Sequence, residues 1–413
     1  MVTRRGGSLL LGAFALWGVG RFLGVAELYV VAATTAALVV CATIAVRTAT
    51  ASVSVRRHLA PSRILAGGHG DVTVELRNDA RLPAALLLVE DSCPPGLAPP
   101  PRFIVPGLGA GRTTALRYRL SGHTRGRYVV GPLRLRVRDP FGLAQRIRRY
   151  RGTDEVVVYP RIEPLADPPA PGMHTGSGSS AVRRLFNTGD EFYTMREYVH
   201  GDDLRQVHWP STAHRNKLMV RQQEQPWEAE ATIVCDTRHL AHRHLGPSSP
   251  LEKAISLAAS LVWHLADDGF TLRLLTDQDH RPPEAQPWSV HLDRLAELSP
   301  SRGSSLVPAL QRLRSGNGEG LLAAVVATPP GDEPVAGHPD LRALLQAGRS
   351  FHGRLALVVD NGRRSRAADA AALLRSGGWR ATTITPDQTL ASQWRALGSA
   401  RRPAAAFQPG ATA

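Results

Sequence analysis

The chain has 413 residues, enough for two or three domains with cores of their own, and a formal net charge of +15. Its three cysteines, Cys41, Cys93 and Cys235, are scattered and make no Cys-x-x-Cys pair, which excludes a disulfide framework and argues against a thiolate zinc site. The basic excess is local: from Arg102 to Arg151 there are 13 arginines against the single acid Asp139, so the question of an anionic partner concerns one segment and not the whole chain.

Residues 1–50 read as a membrane hairpin. Two apolar runs, 8–25 and 28–46, are separated by Glu27, and each has the roughly 17–25 residues a helix needs to span a bilayer. A cleavable signal peptide shares the basic start at Arg4 and Arg5, but a second apolar run follows at once and no small-x-small cleavage site intervenes. Arg4 and Arg5 precede the first run, and Arg47, Arg56 and Arg57 follow the second. The positive-inside rule then puts both ends in the cytoplasm of a two-helix cell-membrane protein.

Residues 51–162 alternate with period two, as in Asp71–Arg77, Leu116–Leu120 and Leu133–Arg138, and are punctuated by Gly and Pro. The pattern predicts a small antiparallel β-sandwich. In the last of these strands Leu133, Leu135 and Val137 point one way, and Arg134, Arg136 and Arg138 the other. The outward arginines are lipid-facing candidates beside the bilayer; the plainer reading is a solvated sheet face. Tyr118 and Tyr128 lie nearby, but no recognised motif frames them and no nucleic acid is expected.

Residues 163–185 are rich in Pro, Gly and Ser and read as a linker. After Trp227 the pattern becomes strand–helix. Strands are expected at 231–235, 270–275, 321–327, 355–359 and 381–384, with helices at 251–266, 292–298, 306–313, 341–346, 367–375 and 390–397. Repeated βα units imply a mostly parallel sheet covered by helices, with ligands beyond the carboxyl ends of its strands, where Asp236 falls. Residues 401–413 are expected to be a disordered tail.

Between linker and α/β domain, Gly189–Trp209 interleaves acids, arginines and rings: GDEFYTMREYVHGDDLRQVHW. Gly189, Glu191, Phe192, Arg196, Glu197, Tyr198, Gly201-Asp202, Leu204-Arg205, His208 and Trp209 carry a resemblance to the domain of unknown function 58 family of bacterial membrane proteins. Arg125-Gly-Arg-Tyr128, Asp139-Pro-Phe-Gly-Leu143 and Val156–Pro160 extend it over nearly the whole chain. The resemblance implies that residues 186–400 hold the segment plus a von Willebrand factor A-like, Rossmann-like domain. It also implies MoxR-type AAA+ ATPase and transglutaminase-like partners, and no established enzymatic activity.

A von Willebrand factor A domain holds Mg²⁺ through Asp-x-Ser-x-Ser after its first strand, completed by a Thr and an Asp from later loops. Here Asp236-Thr-Arg-His-Leu240 keeps the Asp and puts Arg238 and Leu240 where the serines stand. Ser304 or Ser305 is the stand-in for the threonine, and Asp332 arrives late. The site reads as degraded for Mg²⁺, with Asp236 paired to Arg238 or capping a loop, and no cofactor is expected.

Three accounts of the signature segment stand. In the first, Arg196 and Arg205 pair with Glu197, Asp190 or Asp202 in a structural network beneath Trp209. In the second, Glu191, Arg196, Glu197, Tyr198, Gly201, Asp202, Arg205, His208 and Trp209 form a docking surface for the ATPase. In the third, Asp190, Glu191, Asp202, His208 and His214, within 190–214, serve a metal-dependent hydrolase. Neither a nucleophile elbow nor a P-loop occurs. The reading drawn is a non-enzymatic scaffold or adaptor, anchored in the membrane and facing the cytoplasm; the hydrolase is the alternative.

Overall fold

The computed structural model describes residues 2–51, 53–81, 83–84, 86–165, 194–197, 209, 212–213, 217–222, 230–242, 246, 248–314 and 320–399. Two compact units divide the chain, Met1–Tyr159 and Pro160–Ala413. The expected tail at 401–413 and the linker from 166 onward lie outside the described residues.

In the first unit, helices α1 (Arg4–Leu23) and α2 (Ala26–Ala51) pack together across a turn at Gly24 and Val25. Both are long and apolar enough to cross a membrane. Leu11, Phe14 and Phe22 are 74%, 72% and 90% exposed, so the face of α1 turned away from α2 is left uncovered among the described residues. At 1.5 Å per residue α2 is about 39 Å long, more than the roughly 30 Å of a hydrocarbon core. Its second half is partly claimed by protein, since Val39, Ala42 and Val46 join the core of the β module.

Among the described residues that module has ten strands: β1 (Val53–Ala60), β2 (Arg63–Leu65), β3 (His69–Asn78), β4 (Leu86–Glu90), β5 (Arg102–Val105), β6 (Thr113–Ser121), β7 (Gly126–Val130), β8 (Leu133–Arg138), β9 (Gln145–Tyr150) and β10 (Asp154–Tyr159). They form three sheets, β1-β3-β6, β2-β10-β7 and β5-β4-β8-β9, antiparallel except where β10 runs parallel to β2. Period-two alternation buries Val72, Val74 and Leu76 of β3 and Leu133, Leu135 and Val137 of β8 in one core.

A buried ion network joins the three sheets. Arg57 of β1 grips Asp91 in bidentate fashion (Nε–Oδ2 3.0 Å, Nη2–Oδ1 2.8 Å) and donates to Asp154 of β10 at 2.9 Å. The hydroxyl of Tyr118, on β6, donates to Asp91 at 2.7 Å. Burial, and then that bond, push the Tyr118 pKa far above its usual value, so the phenol stays protonated. Arg57, counted above among the charges flanking the membrane, is therefore a core residue, and the Tyr118 hydroxyl faces inward.

In the second unit, β11 (Thr194–Glu197) pairs antiparallel with β12 (Met219–Gln222), Glu197 opposite Met219. A five-stranded parallel sheet follows, made of β13 (Glu230–Cys235), β14 (Thr271–Thr276), β15 (Leu321–Ala327), β16 (Gly353–Val359) and β17 (Arg380–Ile384) in the order β14-β13-β15-β16-β17. Helices α3 (Pro250–Asp267), α4 (Trp288–Glu297), α5 (Val307–Arg314), α6 (Pro339–Gly348), α7 (Arg364–Ser376) and α8 (Leu390–Ser399) connect and cover it. The start of α3 shows why the sequence turns helical there: Ser249 caps the Glu252 amide at 3.2 Å, and Pro250 occupies the first turn, where its missing N–H costs nothing. On one face Val234, Ala324, Val326 and Val358 pack with Leu310, Leu341, Leu344 and Leu374. Ile233, Ala323, Val325 and Leu357 alternate toward the other.

The stretch expected to open a linker is docked instead. Glu163 receives the Lys253 ammonium on Oε1 and the Leu390 amide on Oε2, each at 2.5 Å, and its own amide donates to the Ser260 hydroxyl at 2.9 Å. The Leu165 amide donates to His264 Nε2 at 3.1 Å. Residues 161–165 thus lie along α3, held by polar bonds that the Pro-rich composition conceals.

Candidate functional site

In a parallel sheet of this order the chain leaves β13 to one side, to the edge strand β14, and returns past it to β15 on the other side. The crevice at that reversal is where such sheets bind ligands. Asp236, the first residue after β13, sits there with none of its surface exposed, where an unpaired carboxylate would cost several kcal/mol.

Arg238 supplies the counter-charge. Its Nε donates to Asp236 Oδ1 at 2.9 Å and its Nη2 to Oδ2 at 2.8 Å. The amides of Arg238 and Ala327 fill the remaining positions on the same carboxylate, at 3.1 and 3.2 Å. Nη1 then reaches across to Asp340 Oδ2 at 2.5 Å and to the Ser304 carbonyl at 3.2 Å. Asp340 Oδ1 accepts from the Ser305 hydroxyl at 2.6 Å and the Leu306 amide at 2.8 Å. Burial alone would raise the Asp236 pKa; the bonds and charge of Arg238 outweigh it and hold the carboxylate below its usual range. Arg238 is raised on balance by the same two acids against its own burial.

Two imidazoles flank the site. His242 Nε2 lies 2.9 Å from the Asp236 carbonyl, and its Nδ1 is buried with no hydrogen-bond partner among the described residues. His338 Nδ1 stands 3.7 Å from Asp340 Oδ2, too far for a hydrogen bond. Burial depresses both pKa values, so His338 is neutral and the guanidinium is the counter-ion of Asp340. Beside them the Asp277 carboxylate binds the Thr237 amide (2.8 Å), the Thr237 hydroxyl (2.6 Å) and the Ser301 hydroxyl. A cavity of about 10 Å³ remains next to Arg238 and Asp340, room for one water at most.

Asp236, Ser304 and Ser305, the three residues singled out as metal candidates, do converge here. What joins them is the guanidinium. Mg²⁺ requires near-octahedral oxygen ligation, whereas both oxygens of Asp236 are already bonded and a fixed positive charge lies between the two acids. These residues do not fit a divalent cation. Asp332, the late carboxylate, is 95% exposed and pairs with Arg363 at 2.9 Å. The carboxylate that completes the site is Asp340, which sequence reasoning missed; its only local signal is a Pro-Asp pair opening α6, a common helix start.

Of the signature residues, Arg196 and Glu197 lie on β11, and Trp209 is 68% exposed. Glu191, Tyr198, Gly201, Asp202, Arg205 and His208 lie outside the described residues, as do Asp190 and His214 of the hydrolase reading. Arg134 and Arg136 are exposed on β8, while Arg138 is half-buried beside Gly142.

Residues 194–361 match the family model described as "Protein of unknown function DUF58", so the family resemblance read from the sequence holds over that span. The "Uncharacterized protein YeaD" of Bacillus subtilis (strain 168) is 23% identical over 222 residues, 52% of this chain and 53% of the relative; the match thus spans about half of that relative's length. Among solved structures, a CARDB domain from Pyrococcus furiosus covers 26% of this chain and 86% of its own, at 15% identity and a TM-score of 0.20. The alkylpurine DNA glycosylase AlkC of Pseudomonas fluorescens covers 32% of this chain and 38% of its own, at 18% identity and a TM-score of 0.18. At those scores neither likeness bears on fold or function.

Proposed function

We propose that this chain is a membrane-anchored, cytoplasm-facing scaffold or adaptor without catalysis of its own, working with a MoxR-type AAA+ ATPase and a transglutaminase-like membrane protein in protein assembly or maturation. In this reading α1 and α2 form a transmembrane hairpin with both ends in the cytoplasm. The β module is a sandwich, and the parallel-sheet domain is von Willebrand factor A-like. One observation carries it: the crevice at the strand reversal, the usual ligand position of such a sheet, is filled from within by Arg238 between Asp236 and Asp340. A domain closed in this way offers its outer surface to partners, and the exposed Trp209 is of a residue type enriched at binding hot spots.

The test is affinity capture of the ATPase from membranes containing the tagged full chain, with ATP, with ADP and without nucleotide. Nucleotide-dependent capture, lost on Trp209→Ala while the protein still inserts and folds, is the expected result. Equal recovery of the ATPase on an unrelated two-helix membrane protein would count against it.

A further inference from the structure

The Asp139-Pro-Phe-Gly-Leu143 stretch is built into a rigid turn between β8 and β9. Asp139 is buried; its carboxylate takes the Phe141 amide at 2.9 Å and the Ala144 amide at 2.5 Å, and its carbonyl takes the Gly142 amide at 3.0 Å. Gly142 has φ +71°, the left-handed region a side chain disfavours. Leu143 and Ala144 enter the core, whereas Phe141, the largest apolar residue of the turn, is left 65% exposed.

The same turn is tied to the start of α1. The Thr3 amide donates to the Leu143 carbonyl at 2.8 Å, the Thr3 hydroxyl donates to the Gly142 carbonyl at 2.6 Å, and Val2 bridges to Ala144. Gly6 permits the approach, since a Cβ there would lie 2.3 Å from the Leu143 carbonyl oxygen. At the other end of the β8–β9 ladder the Tyr150 hydroxyl donates to the Val53 carbonyl, just past α2. The ladder therefore runs beside the last turns of α2, and its Phe141 end lies level with the first turn of α1. Exposed Arg4 and Arg5 share that level, Arg146 follows at the second position of β9, and the Arg138 guanidinium lies beside Gly142. Arg136 and Arg134 sit roughly 7 and 13 Å farther along the strand at about 3.3 Å per residue.

We propose that the Asp139–Ala144 turn is a membrane-interface anchor. Phe141 inserts among the headgroups of the bilayer, while Arg138 and Arg146, with Arg4 and Arg5, hold the phosphates of anionic phospholipids. The proposal rests on the reading of α1 and α2 as membrane spans, and it moves the lipid contact from the Arg134–Arg136 face to the turn. Aromatic and basic residues at the level where a span begins are the chemistry the headgroup region selects.

The test uses the full chain in vesicles of phosphatidylcholine, alone or mixed with phosphatidylglycerol, with photoreactive p-benzoyl-phenylalanine replacing Phe14, Phe141 or Ile104. Phe14 lies on the exposed face of α1, and Ile104 is 70% exposed on β5. Lipid adducts are expected at 14 and 141 and not at 104. Phosphatidylglycerol should be enriched in the 141 adduct at least about fivefold over its mole fraction, the factor for one arginine near an anionic surface, and Arg138→Gln with Arg146→Gln should reduce that enrichment without changing the yield at 14. Adducts at 14 but none at 141, equal yields at 141 and 104, an adduct to protein at 141, or no anionic preference would each overturn the anchor and leave the membrane reading standing. Absence of adducts at 14 would remove the membrane reading itself.

Discussion

Arg238 closes its guanidinium on both carboxylate oxygens of Asp236, two residues earlier in the chain, at 2.9 and 2.8 Å. Its remaining nitrogen binds Asp340, 102 positions later. One side chain thus provides the positive charge at the reversal of the parallel sheet and ties the loop after β13 to the start of α6.

Removing that charge leaves two buried carboxylates uncompensated. Arg238→Met is expected to destabilise the protein by about 3–5 kcal/mol, read as a lowered urea midpoint at constant slope. Adding Asp340→Leu should cost less than the sum of the single changes, because the two residues share one network. Strict additivity would show that the pair is not coupled.

Metal removal is the complementary experiment. With the guanidinium in place, the melting temperature of the wild-type chain should be the same in EDTA, Mg²⁺ and Mn²⁺. A rise that depends on ion concentration would mean a cation binds the folded state, contrary to the donor geometry.

Stability should also depend on pH in one direction. His242, His291 and His338 have pKa values lowered chiefly by burial. Each is neutral when folded and takes up a proton on unfolding below its ordinary pKa of about 6.5. The unfolded state then binds more protons, so stability falls as pH drops below that value and toward the lowered folded-state pKa, by at most about 1.4 kcal/mol per pH unit for each histidine. Above it these groups contribute no slope. Asp236, whose pKa is lowered despite burial, adds a loss of the same sign at lower pH, as it protonates. Urea titrations between pH 8 and 5.5 check this, and His291→Gln should remove one histidine's share of the slope.

In the β module, Arg57→Met should cost about 3–5 kcal/mol by stranding Asp91 in the core. Tyr118→Phe should cost about 1.5–3 kcal/mol, the range for a hydrogen bond to a charged group. The order of the two, measured by thermal unfolding, is the informative part: a larger loss for Tyr118→Phe would assign the network to the phenol instead.

Gly6→Ala places a methyl 2.3 Å from the Leu143 carbonyl oxygen, and overpacking of this kind costs about 1–3 kcal/mol. Because the Thr3 amide bonds to that carbonyl, its hydrogen exchange should accelerate in the variant. Unchanged protection would show that the helix start accommodates the methyl.

The parallel sheet was legible because buried strands are continuous apolar runs: Ala231–Cys235, Leu321–Ala327 and Leu355–Val359 could hardly be anything else. The two apolar helices were equally plain, although α2 runs on to Ala51 and lends Val39, Ala42 and Val46 to the β core, which hydropathy alone does not distinguish from a lipid face. The pairing of Asp236 with Arg238 was open in the sequence, being local. Asp340 was not, because nothing in a Pro-Asp helix start tells which distant cation it meets. For the same reason Arg57 read as a flanking charge and Glu163 as linker: a buried salt bridge is a property of two positions and leaves no mark at either.

One of the only two lysines in the chain, Lys253, holds Glu163 at the entrance of the second unit and the Gln388 carbonyl just before α8, while Glu163 also takes the Leu390 amide. The first and last pieces of the domain are thereby buttoned together at one ammonium group. A pull transmitted through the incoming chain would be borne by the closing helix before it reached the sheet, so the fold resists being unzipped from its leading end.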